Sequence, residues 1–151
     1  MDKKYKTKNS IETQNLGKIF AKEVLLYPIK NSAVVLELKG NLGGGKTTFL
    51  QGFSKGLGIK EKILSPTFVI MKRFELHNKQ YKNFYHIDFY RLNKIKGEPV
   101  LSWKDIIRDP KNIIAIEWPE RVKKILPQKT IKIYFKFINE NSREIIFKSV
   151  L

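Results

Sequence analysis

The sequence predicts a three-layer α/β fold built on a mixed parallel and antiparallel sheet. Three observations predict it. Val34-Val35-Leu36 opens an apolar strand that runs into Gly40, Gly43, Gly44, Gly45, Lys46 and Thr47, and then into a helix carrying Phe49, Leu50, Phe53 and Leu57. Ile113-Ile114-Ala115-Ile116 is a continuous apolar run, the pattern of a strand buried on both faces of a largely parallel sheet. Residues 130–137 and 143–150 alternate apolar and polar side chains across Asn139-Glu140-Asn141-Ser142, as an antiparallel hairpin does. Gly40, four intervening residues and Gly45-Lys46-Thr47 give Walker A spacing, which narrows the class to a P-loop NTPase type.

The elements follow in order. Residues 1–9 read as a basic tail and residues 10–151 as one domain. Ile11 to Leu26 carries Leu16, Ile19, Phe20 and Val24 at helical spacing, with Ser10 as N-cap and Pro28 as terminator. The strand and loop come next, and the helix from Lys46 to Leu57 closes at Gly56 and Gly58. Phe68 to Met71 and Tyr81 to Tyr90 are strand-like, and His77-Asn78-Lys79-Gln80 is a turn between them, so residues 68–90 predict a hairpin. Residues 93–111, with Gly97, Pro99 and Pro110, predict a loop holding one short helix near Trp103 to Ile107.

Composition excludes several classes. The apolar share of 42% argues against disorder, and no apolar run approaches the roughly 20 residues of a membrane span. No apolar signal segment follows the start, so a soluble, cytoplasmic protein without membrane contact is expected. Zero cysteines exclude disulfides and thiolate metal sites. Thirty Lys and Arg against 14 Asp and Glu give a net charge of +16, which invites contact with nucleic acid. The charge is spread as singlets and pairs, and the accompanying excess of Lys, Ile, Asn and Phe is what an AT-rich genome produces unselected.

The loop dictates the chemistry to look for. Backbone N–H groups of Asn41, Leu42, Gly43, Gly44 and Gly45 converge on phosphates, Lys46 reaches the β- and γ-phosphates, and Thr47 offers a hydroxyl to Mg²⁺. Thr48 follows in the first turn, where the helix dipole favours the same anion. Glu117, at the end of the buried strand, suits the metal; an edge salt bridge or a helix cap is its alternative. Asp88 could polarise an attacking water, hold metal through water, or pair with Arg91. Ser65 and Thr67 in Ser65-Pro66-Thr67-Phe68 suit a switch loop or a proline-stabilised turn. His77 and His86 have no third ligand in register and read as surface or hairpin residues. Trp103 and Trp118 read as core or pocket-wall aromatics.

Taken in order, GNLGGGKTTF, SPTF, HIDFYRL, IEWPE and a terminal hairpin with SRE closely resemble the bacterial TsaE (YjeE) family, from about Ser10 to Arg143. The resemblance implies a P-loop ATPase that binds Mg²⁺-ATP, hydrolyses it slowly and serves threonylcarbamoyladenosine synthesis beside the anticodon of tRNAs reading codons that begin with A. It implies TsaB- and TsaD-type partners, with TsaC in the same pathway and tRNA reached through the complex. It assigns phosphates to Lys46, Mg²⁺ to Thr47 and Glu117, hydrolysis to Asp88 and a switch segment to Thr67. Trp118 would flank the site, and Ser10, Thr13 and Arg143 would lie near the base or ribose. Asn41 and Gly44 stand where the family usually has Asp and Ala, and residues 93–111 lack its acidic stretch.

Two other readings compete. A small-molecule P-loop kinase shares the loop, but such kinases usually carry an arginine-bearing lid, and the arginines here are 73, 91, 108, 121 and 143, with no paired lid pattern. A basic RNA-binding interaction module would explain the charge and predicts salt-sensitive tRNA binding without nucleotide.

Overall fold

A computed structural model describes residues 2–41, 43–64, 71–89 and 98–149. Leu42, the segment Ser65 to Ile70 with Thr67, and the stretch Tyr90 to Gly97 lie outside the described residues, and with them the expected switch loop and the start of the 93–111 segment.

Seven described strands form one sheet in the order β1-β7-β6-β2-β5-β4-β3. They are β1 (Lys3–Thr7), β2 (Val34–Lys39), β3 (Met71–Glu75), β4 (Asn83–Asp88), β5 (Asn112–Glu117), β6 (Ile131–Phe137) and β7 (Arg143–Ser149). β2 pairs in parallel with β5 and β6, and β4 in parallel with β5. The flanks are antiparallel: β3 on β4, β7 on β6 and β1 on β7. The sheet is therefore mixed, as its apolar and alternating runs require.

Helices α1 (Ser10–Leu25) and α2 (Lys46–Gly56) cover one face. Phe20, Phe49, Phe53, Phe84, Phe135 and Phe147 form the aromatic centre of that core. Helix α3 (Glu98–Arg108) and the 3₁₀ turns of Pro119–Ile125 lie on the other face, where Trp103 meets Phe89 edge-on at 5.5 Å. The short helix expected near Trp103 is thus longer, reaching back to Glu98.

Three sequence expectations need correction. Residues 3–7 are a strand and not a tail: Lys3 to Thr7 pair with Phe147 to Arg143, and the Tyr5 ring stands edge-on to Phe147 at 5.6 Å. Lysines along this outermost strand discourage pairing with another chain. The N-cap of α1 is Asn9 and not Ser10, since the Asn9 side-chain carbonyl accepts from the Glu12 N–H at 2.8 Å. The buried stripe of α1 runs through Thr13, Gly17, Phe20, Ala21 and Val24, leaving Ile19 58% exposed.

Glycine explains that rotation. Gly17 and Gly52 bring the backbones of α1 and α2 into contact, and a Cβ at Gly52 would stand 1.8 Å from the Gln14 carbonyl oxygen. Only a helix face without side chains admits so close an approach. Gly52→Ala is therefore expected to force the helices apart and cost about 3 kcal/mol, the upper end for an overpacked core. Urea unfolding measures it; a change within about 0.5 kcal/mol, typical of an innocuous surface substitution, would contradict this packing.

Candidate functional site

The loop leaves β2 at its carboxyl end, between the parallel neighbours β5 and β6, where open α/β sheets place their ligands. Gly43 has φ +79° and Gly45, the N-cap of α2, has φ +98°. A β-carbon disfavours both values, so glycine at these positions sets the backbone path into the helix. The Gly44 N–H donates to the Asn41 carbonyl at 3.1 Å and the Phe49 N–H to the Gly45 carbonyl at 2.9 Å, closing the loop onto the first turn of α2.

Lys46 is only 5% exposed. Its ammonium donates to the Gly40 carbonyl at 2.7 Å and lies 4.7 Å from the centre of the Trp118 ring. Burial pushes its pKa below the ordinary lysine value, while Glu117, Asp88 and Glu120 pull it back up. Trp118 holds this place with a left-handed backbone, φ +58° and ψ +51°, the one positive φ outside glycine among the described residues. Such strain at a bulky residue persists only where surrounding structure enforces it. Trp118 packs partly buried against the core on the α3 side and sets its ring against the Lys46 ammonium.

Strand alternation gathers the acids. On β4, Phe84 packs into the core under α1 and α2, so His86 and Asp88, at two-residue steps, share its face. Glu117 shares the same face through Ile113 and Ala115, and register pairs Asp88 with Glu117. Glu117 is 4% exposed, and its carboxylate lies 2.7 Å from the His86 Nε2. The surface reading of His86 is corrected by this contact: the ring is 2% exposed. Alternation from Phe84 carried the signal, but it needed the identity of the facing strand. No group of three or more His, Cys, Asp or Glu side chains that could hold a metal by themselves occurs among the described residues.

Beside the loop, Ser10, Thr13, Gly45, Thr48, Asn141 and Arg143 line a polar pocket of about 330 Å³. Asn41 is exposed. Thr13 is buried, with its hydroxyl 2.7 Å from that of Thr7. Arg143 donates from Nε to the Gly43 carbonyl at 3.0 Å and from a terminal nitrogen to the Asn139 carbonyl at 2.7 Å, and its guanidinium lies 4.8 Å from the centre of the Phe137 ring. The terminal hairpin is thereby tied to the glycine loop.

The donor chemistry fits a magnesium nucleotide. Thr47, half-buried at the start of α2, and Glu117 offer the oxygen ligands a hard cation takes. A buried lysine ammonium has the charge that suits a phosphate, and among the described residues nothing lies within 4 Å of where a Gly43 Cβ would stand.

Residues 7–145 match the family described as threonylcarbamoyl adenosine biosynthesis protein TsaE. The tRNA threonylcarbamoyladenosine biosynthesis protein TsaE of Bacillus subtilis is 34% identical over 147 residues, covering 97% of this chain and 85% of that protein. The protein of the same name from a Nostoc species is 37% identical over 138 residues, covering 87% of this chain and 76% of that protein. Among solved structures, the crystal structure of Bacillus subtilis YdiB is similar with a TM-score of 0.77 at 30% identity, over 100% of this chain and 87% of that one. No helix among the described residues is long and apolar enough to cross a membrane.

Proposed function

The chain belongs to the TsaE family of threonylcarbamoyl adenosine biosynthesis proteins, and we propose that within that pathway it is a Mg²⁺-dependent ATP-binding protein, slow to hydrolyse, that switches partner proteins. The observation that carries this reading is the buried Lys46 ammonium at the mouth of the glycine loop, within the fields of Glu117 and Asp88. A buried cation beside carboxylates and a glycine loop has an evident use in binding a polyanion with its metal.

In this reading the N–H groups of residues 41–45 and Lys46 bind the phosphates, and Thr47 and Glu117 hold the metal. Mg²⁺, when bound, would neutralise charge on the β- and γ-phosphates. Asp88 serves hydrolysis as the acceptor that orients a water, Thr48 joins the loop in binding the nucleotide, and Thr67 belongs to a segment that senses the γ-phosphate. Ser10, Thr13 and Arg143 border the pocket that takes the rest of the nucleotide, and Trp118 closes the site over Lys46. The partners are TsaB- and TsaD-type proteins, tRNA is reached through their complex, and the cytoplasm is the setting.

Calorimetry with ATP, with and without Mg²⁺, tests the binding, and phosphate release tests turnover. Glu117→Gln and Asp88→Asn should separate two roles. The first is expected to remove most of the Mg²⁺ dependence of binding, and the second to slow turnover by about 100-fold, the scale of a lost acid–base group, with affinity nearly kept. Equal losses of affinity in both variants would contradict the division.

A further inference from the structure

Resting on the proposed Mg²⁺-nucleotide site, we infer that His86 is a positioning residue that holds the Glu117 carboxylate in its metal-binding orientation. The pair lies wholly inside the protein, 2.7 Å apart, with His86 2% exposed and Glu117 4% exposed. A buried carboxylate with a free choice of rotamer would spend part of its time turned from the metal. One of its oxygens instead accepts from His86, leaving lone pairs on the other for a cation.

The sheet is built to admit the contact. His86 faces Ala115 directly across the parallel pair, and Glu117 follows two residues later on the same face. The methyl of Ala115, fully buried, leaves room for the imidazole to lean along the strand and reach the diagonal carboxylate. The backbone of Glu117 is fixed by the same strand, since the Phe89 N–H donates to the Glu117 carbonyl at 3.1 Å. Residues on either side of Asp88 therefore hold both the main chain and the side chain of Glu117. One strand thus locates the proposed metal carboxylate relative to the proposed hydrolytic one.

The test is Mn²⁺ binding to the ATP complex, read by electron paramagnetic resonance, with nucleotide affinity in EDTA measured alongside. His86→Phe keeps the ring volume and removes the donor; the Mn²⁺ dissociation constant is expected to rise about 10- to 100-fold, the usual effect of losing a partner of a metal ligand. Affinity for ATP in EDTA should stay within about twofold, a change of under 0.5 kcal/mol. His86→Gln, whose amide nitrogen can stand where Nε2 stands, should restore most of the metal affinity. His86→Asn, which is smaller but too short to donate there, should behave as His86→Phe does, and it carries the test if the phenylalanine variant does not fold. Unchanged Mn²⁺ affinity in the Phe and Asn variants, or equal losses with and without metal, would overturn the inference while leaving the site reading intact. Failure of the wild type to bind ATP with metal would overturn both.

Discussion

Lys46→Ala is expected to abolish tight nucleotide binding, by at least about 100-fold, and to leave the protein folded. An ammonium donating to phosphate oxygens makes charge-assisted bonds of about 1.5–3 kcal/mol each, so losing two of them removes about 3 kcal/mol or more. Every 1.4 kcal/mol is tenfold in affinity. The fold should tolerate the loss because Lys46, although buried, is held there against its own hydration: burial lowers its pKa in spite of three acidic neighbours. A lysine with a lowered folded-state pKa makes the native state less stable wherever it is charged in both states. That cost fades as pH rises through the lowered value towards the ordinary lysine range. Lys46→Met, which fills much of the same space without charge, should therefore melt at or above the wild-type temperature near neutral pH, with the difference shrinking in alkaline buffer. Calorimetric binding and thermal melts at two pH values check both parts. Wild-type affinity in Lys46→Ala would remove Lys46 from the phosphate site, and a lower melting temperature for Lys46→Met would show that the ammonium supports the fold.

The loop was legible in the sequence because each of its devices is local. Glycine at 43 and 45 supplies positive φ, Lys46 and Thr47 sit at fixed offsets, and the apolar run before them can only be a strand. The central strand β5 was legible for the same reason, and it placed Glu117 at its carboxyl end. What escaped depends on partners far away in the chain. The His86 contact spans 31 residues and exists only in one register of β4 on β5. Arg143 reaches the Gly43 carbonyl across 100 residues. Lys-Lys-Tyr-Lys-Thr has no apolar alternation, so β1 is stabilised as a strand by the β7 edge and Phe147 more than by its own propensity. The stripe of α1 was misjudged because small residues, Gly17 and Ala21, mark the contact with α2, while hydropathy points to Ile19.

The second large effect concerns the partner. A protein that turns ATP over slowly by itself is useful when the nucleotide decides which conformation a partner meets, and a partner that binds both states equally shifts nothing. The terminal hairpin is placed to report the loop: Arg143 joins the Gly43 carbonyl to the Asn139 carbonyl and rests on Phe137, which is 57% exposed beside Ile138 at 44%. Changes in the loop on binding or losing the γ-phosphate would reach an exposed apolar surface through Arg143. TsaB- and TsaD-type proteins should accordingly bind the ATP state at least about tenfold more tightly than the ADP state, a difference of about 1.4 kcal/mol. Asp88→Asn, slow to hydrolyse, should hold the complex in its high-affinity form, and Arg143→Ala should bring the two affinities together without abolishing nucleotide binding. Titrating the partner complex against protein loaded with ATP, with ADP and with neither measures all three. Identical affinities in every state would remove the switch, and a tenfold ratio that survives Arg143→Ala would move the coupling away from the hairpin.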